Sequence, residues 1–115
     1  MSNRDRSKAD VLQGTLDLMV LQTLNSLGPL HGYAMAARLD QISGGALQLN
    51  MGTLYPALMR LEQRGLIRGS WGTTDSNRKA RFYAITPGGR RQLAKEQEAW
   101  QRMVDIIDRL LRGES

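Results

Sequence analysis

The sequence predicts a mainly α protein with a small β-hairpin, and three observations point to it. Leucine, methionine and valine recur at three- and four-residue spacing along most of the chain. Glycine and proline interrupt that spacing at intervals suited to short helices. Strand-forming residues collect in one region, where Phe82, Tyr83 and Ile85 follow each other closely. At 115 residues and 41% apolar composition, the chain has the size of one domain around one modest core.

The charged residues of positions 1–11 are expected to form a flexible N-terminal arm. From there Leu16, Met19, Val20, Leu24 and Leu27 mark a first helix, ending at Gly28-Pro29, where proline cannot donate to a continuing turn. Gly32 to Ser43 forms a second helix with Met35, Leu39 and Ile42 on one stripe, broken by Gly44-Gly45. A third runs from Asn50 or Thr53 to Arg64, with Leu54, Leu58 and Leu61 facing inward and Gly65 stopping it. Its start is ambiguous because Pro56 lacks an N–H: either Thr53 caps the helix or the helix kinks at Pro56. Leu66 to Trp71 and Ala80 to Thr86 are two strands joined by a polar turn too long for a tight hairpin. Thr86-Pro87 is a cap with proline at the first helical position, and it launches a last helix to Arg112. Three small helices followed by a two-stranded ribbon is the plan of a winged helix-turn-helix, in which the third helix enters the DNA major groove. The expected organisation is an arm (1–11), a winged helix-turn-helix domain (12–86) and a long C-terminal dimerisation helix (87–115).

Charge supports that plan. The net charge is +5, and the excess is local: residues 51–91 hold eight Lys/Arg against two Asp/Glu, while the flanking segments are close to balanced. A solubilising surface intersperses its signs, whereas a nucleic-acid face concentrates one of them. The absence of cysteine excludes disulfides, thiolate metal sites and a cysteine nucleophile. With His31 the single histidine and the carboxylates scattered singly, neither a metal site nor a catalytic constellation is expected. No cofactor is implied. No uninterrupted apolar run exceeds five residues, so a cytoplasmic protein without a membrane partner is expected.

Candidate DNA contacts follow from position. On the third helix, the face opposite Leu54, Leu58 and Leu61 presents Gly52, Pro56 and Arg60, with Thr53 and Tyr55 on its shoulders. Hydroxyls bond phosphates or base edges, and a guanidinium can fork onto guanine. A merely solvated outer face is the alternative. Arg78 and Lys79, with Arg81, place cations at the ribbon tip, suited to phosphates. His31 opens the second helix, where capping and phosphate contact are both natural roles. On the last helix Leu93, Trp100, Val104, Ile107 and Leu111 form one seam, widened by Ile106 and Leu110. A small three-helix core leaves part of that seam uncovered, so a second copy of the chain is expected to dimerise through it, alongside packing on the first helix. A winged-helix protein-interaction module without DNA binding remains the alternative function; it would lack the cations at the ribbon.

The segments GPLHGYAMAARL (28–39), GTLYPALMRLEQRGLI (52–67), WG (71–72) and RKARFYAITPGGRRQL (78–93) resemble the PadR-type transcriptional regulators. The resemblance implies a winged helix-turn-helix homodimer, usually a repressor, that releases a two-fold DNA operator when a small molecule binds. It implies DNA contact by Thr53, Tyr55, Pro56 and Arg60, with His31 and Tyr33 near phosphates and Arg78 and Lys79 on the wing. The single last helix resembles the short subgroup, not the members that respond to phenolic acids through a larger C-terminal domain. The tail EAWQRMVDIIDRLL is similar to that of multidrug-binding members, whose tryptophan at the position of Trp100 stacks planar drugs across the dimer axis. That makes Trp100 the candidate effector-binding residue for a planar hydrophobic molecule; a plain dimer-core role is its alternative.

Overall fold

In the computed structural model, the backbone is described for residues 2–113 and the side chains from Gly14 onward. Helix α1 (Ser2–Leu27) turns Leu16, Val20, Leu21 and Leu24 into the core at helical spacing. The expected flexible arm falls on Met1, which lies outside the described residues, and on residues 2–11, whose backbone is helical and whose side chains are likewise outside them. A two-residue strand β1 (Leu30–His31) leads directly into α2 (Gly32–Ile42), which buries Met35 and Leu39.

Helix α3 (Met51–Gln63) begins at Asn50, whose Oδ1 accepts from the Thr53 N–H at 2.9 Å and the Thr53 hydroxyl at 3.2 Å. Asn50 is therefore the cap. Thr53 is inside the helix, and Pro56 sits in the interior, where its missing N–H leaves the Gly52 carbonyl without its helical donor. Leu54, Ala57, Leu58 and Leu61 are fully buried. Gly65 ends the run in the left-handed conformation, φ 74°, which a side chain would strain, and Leu66 turns back to donate to the Leu61 carbonyl.

Strands β2 (Ile67–Thr73) and β3 (Lys79–Ile85) pair antiparallel from Ile67↔Ile85 to Thr73↔Lys79. They extend further into the polar segment than expected, leaving a five-residue tip, 74–78. That tip closes on itself: the Thr74 N–H donates to the Arg78 carbonyl, the Arg78 N–H to the Thr74 hydroxyl, and Asn77 takes φ 63°. Asparagine tolerates that conformation better than most residues. The expected two-stranded ribbon is in fact a three-stranded sheet of order β1-β3-β2, because Leu30 and His31 pair with Tyr83 and Phe82.

The Thr86 hydroxyl caps α4 (Pro87–Leu111) by accepting from the Gly89 N–H at 3.0 Å. The first turns of α4 belong to the core. Leu93 is only 3% exposed, packed among the buried side chains of its own chain, which corrects its assignment to a dimer surface. Periodicity placed it on the right stripe, but it lies near the docked end of α4, where the protomer itself covers it. Beyond it, Val104 is half-buried, whereas Trp100, Met103, Ile106, Ile107, Leu110 and Leu111 are 45–80% exposed. No helix among the described residues is long and apolar enough to cross a membrane.

Candidate nucleic-acid interface

Strand alternation decides what the wing presents. Ile67 and Tyr83 lie at the base of one sheet face and are buried in the core; Trp71, Lys79 and Arg81 follow on the same face further out. Trp71 is 64% exposed, and the Lys79 ammonium stands 5.2 Å from its ring centroid, with the Arg81 guanidinium at 6.0 Å. Tyr33, at the start of α2, and Tyr55, on α3, form the opposing wall. Between these walls lies a groove of about 930 Å³. All three tyrosines of the chain and one of its two tryptophans border it.

The wall made by α2 and α3 packs closely around Gly32. A Cβ there would fall 2.8 Å from the Met51 methyl and 3.4 Å from the Tyr55 hydroxyl. His31 performs the capping role: its Nδ1 accepts from the Ala34 N–H at 3.3 Å, which leaves the ring proton on Nε2. Its ring stands edge-on to Phe82, with centroids 5.2 Å apart.

Of the eight sequence-predicted DNA contacts, five line the groove together: His31, Tyr33, Tyr55, Arg78 and Lys79. Thr53 and Pro56 are exposed on α3 outside the lining. Arg60 departs from expectation. It reaches across to α1, where its Nη2 lies 2.9 Å from Asp17 Oδ1, while its Nε is buried with no hydrogen-bond partner among the described residues. Asp17 is itself largely buried and needs a counter-charge there.

Sequence reasoning missed Trp71, Tyr83 and Glu62, and it placed Arg81 with the phosphate-facing cations of the ribbon tip. Arg81 is not on the turn but within β3, and its Nη2 donates to Glu62 Oε2 at 2.6 Å. The same carboxylate oxygen accepts from the Gly69 N–H at 3.3 Å. The hydrogen bond to Glu62 is the main reason that the Arg81 guanidinium is held above its ordinary value. Burial is the main reason that the Tyr83 phenol is raised, against the opposing effect of Arg81. With Arg81 engaged, Arg78 and Lys79 are the groove cations without an ion pair among the described residues, and Asp75 is the one carboxylate on the lining. Alternation could have placed Trp71 and Arg81 on one face, had the register been known.

A helix-turn-helix whose second helix is flanked by a cationic, aromatic-walled wing defines a winged helix-turn-helix protein. Residues 20–95 match the transcriptional regulator PadR-like family. The chain belongs to that family. It is similar to the crystal structure of a PadR family transcriptional regulator from Eggerthella lenta, with 31% identity, a TM-score of 0.74, and 96% of each chain covered. A transcriptional regulator of Mycobacterium tuberculosis is 35% identical over 64 residues, 56% of this chain and 59% of that protein. An uncharacterised 37.1 kDa protein from a transposon of Streptomyces fradiae is 40% identical over 76 residues, 66% of this chain and 20% of that one. The chain thus spans a minor part of the second curated relative and under two thirds of the first. The family match ends before Trp100, so the exposed stripe of α4 lies beyond it.

Proposed function

We propose that this protein is a homodimeric, sequence-specific DNA-binding repressor of the cytoplasm, which acts on a two-fold operator and catalyses no reaction. The observation that carries this reading is the groove. It joins the start of α2, the third helix and the wing, and it sets the unpaired cations Arg78 and Lys79 opposite the exposed rings of Tyr33 and Tyr55. With α3 in a major groove, a phosphate strand passes beside the wing, where Arg78 and Lys79 neutralise it and the Tyr33 hydroxyl donates to it. Thr53, Tyr55 and Pro56 face the bases, with backbone approach eased at Gly52. Arg60 reaches a base only by leaving Asp17, which strands a largely buried carboxylate. Base reading therefore rests first on Tyr55.

The test is footprinting combined with salt titration. A dimer neutralising about six to ten phosphates gives a log–log salt slope of roughly −5 to −9, on a site with half-sites about one helical turn apart. Replacing both Arg78 and Lys79 by alanine weakens all duplexes alike and makes the slope shallower by about 3 to 4, since a dimer loses four cations. Replacing Tyr55 shifts base preference instead, by about 1 to 3 kcal/mol if a base contact is lost. A flat salt dependence or an asymmetric footprint overturns the reading in favour of a protein-interaction module.

The proposed effector is a planar hydrophobic molecule at Trp100. Support comes from a shallow pocket of about 390 Å³ between α1 and α4, where Leu18, Trp100 and Met103 provide apolar contact. Glu96 borders it with an Oε2 that is buried and has no hydrogen-bond partner among the described residues, which favours a cationic ligand. In Trp71→Phe protein, planar cationic dyes are expected to quench Trp100. Adding Trp100→Ala should abolish dye binding while ultracentrifugation still shows a dimer. Undiminished dye binding by that dimer assigns the tryptophan to packing alone.

A further inference from the structure

The wing and the third helix are joined by one carboxylate. Glu62, near the end of α3, accepts from the Arg81 guanidinium at 2.6 Å and from the Gly69 N–H at 3.3 Å through the same Oε2. These two donors sit on the two different strands of the wing. Arg81 reaches Glu62 by folding across Gly69: a Cβ on Gly69 would lie 2.5 Å from Arg81 Nε and 2.8 Å from its Cζ. The outer side of the same guanidinium approaches the Trp71 ring, which Lys79 flanks. A single acidic side chain thus ties both strands of the hairpin to the third helix, within a segment where acids are otherwise nearly absent.

We infer that Glu62 is a positioning residue for DNA binding: by clamping Arg81 and Gly69 it fixes the wing relative to α3, so that both engage one duplex at once. The inference rests on the DNA-binding reading above. A hairpin bends easily where it leaves the core, and its tip cations reach phosphates only when the angle to the third helix is right. Arg81 and Glu62 are each about one-third exposed, so the pair is not needed to hold the core together, and its ionic contribution to stability is small. Its effect is on geometry. Arg81 is accordingly assigned to the clamp and not to phosphate contact.

The clamp makes a prediction opposite in sign to that of simple charge. Removing an acid from a DNA-facing surface strengthens binding by Coulomb attraction alone. Loss of the clamp weakens it. Three full-length variants separate the two: Glu62→Ala removes charge and clamp, Glu62→Gln removes the charge but keeps an amide oxygen for both donors, and Gly69→Ala displaces the flexible Arg81 head without changing any charge. The probe is a mixed-sequence duplex of about three helical turns, titrated at several salt concentrations.

Glu62→Ala and Gly69→Ala should bind roughly three- to tenfold more weakly than the unaltered protein, with salt slopes shallower by about 1 to 4 as the wing cations lose their phosphates. Glu62→Gln should bind at least as well as the unaltered protein. Thermal midpoints check that all three are folded. If Glu62→Ala binds as tightly as Glu62→Gln, or tighter than the unaltered protein with a steeper slope, the carboxylate only masks a cation and the inference falls. If Glu62→Ala fails to fold, Gly69→Ala decides alone, and unchanged binding by it overturns the clamp. If the unaltered protein does not bind the duplex, the DNA reading itself falls and takes the clamp with it.

Discussion

Ile107→Asp is expected to convert the protein from dimer to monomer and to lower its affinity for a two-fold operator by a hundredfold or more. Trp100, Met103, Ile106, Ile107, Leu110 and Leu111 stand exposed on α4, well beyond the part of that helix that its own protomer covers. Each such side chain gains about 1.5 to 3 kcal/mol when fully buried, a driving force that a symmetric copy can supply. An aspartate in the middle of that stripe brings two carboxylates into one apolar interface, and each costs several kcal/mol unless it is protonated or paired. The lost dimer also separates two recognition helices that otherwise bind as one unit, so the salt slope should fall to about half as the phosphate contacts halve. Leu93→Ala is the contrasting control. Leu93 is buried within the protomer, so its truncation should cost about 2 to 5 kcal/mol of stability through cavity formation and transfer. Sedimentation equilibrium distinguishes them: Ile107→Asp sediments as a folded monomer, whereas Leu93→Ala stays dimeric while it remains folded. A dimer unaffected by Ile107→Asp would remove α4 from the interface.

The features legible in the sequence are those set by local chemistry. The start of α2 at Gly32, the launch of α4 at Pro87 and the stop at Gly65 follow from caps, proline geometry and left-handed glycine, all of which act within a few residues. Five groove residues were found because helical angle and ribbon position are also local properties. What escaped depends on contacts between distant segments. Strand β1 is two residues long and exists only by pairing with β3, so no alternation could announce it. Arg60 and Asp17 are 43 positions apart, and Arg81 and Glu62 are 19 apart. A helical wheel shows that Arg60 points away from Leu54, but not that a carboxylate of α1 waits beside it. The stripe on α4 is continuous in sequence, yet Leu93 is covered by its own chain and Ile107 is not. Periodicity identifies an apolar face without saying what lies against it.

Gly89→Ala is expected to destabilise the fold by about 2 to 5 kcal/mol, while Gly88→Ala, one residue earlier, should be neutral or stabilising by up to about 1 kcal/mol. Both glycines lie in the first turn of α4, where alanine is the better helix former. Their surroundings differ. A Cβ at Gly88 would have its nearest neighbours at 3.7 Å, an ordinary contact, whereas one at Gly89 would overlap the backbone carbonyl oxygen of Leu66 and crowd Ile85 at 2.7 Å. That carbonyl cannot move aside freely, because it accepts the Thr86 N–H at 3.0 Å, and the Thr86 hydroxyl also donates to the Gly65 carbonyl at 2.7 Å. The end of α3, the start of β2 and the cap of α4 therefore meet at one point. To admit a methyl group, α4 must shift away and strain its cap, losing part of the hydrogen bond from the Gly89 N–H to Thr86 Oγ1, and caps are worth about 1 kcal/mol. The resulting overpacking affects a core that includes Leu93, on the turn above. Urea denaturation of the two variants at one protein concentration measures the difference directly, with Gly88→Ala at or above the unaltered protein and Gly89→Ala well below it. Equal midpoints for the two variants would show that α4 has room at Gly89 and that its docking against Leu66 is looser than described.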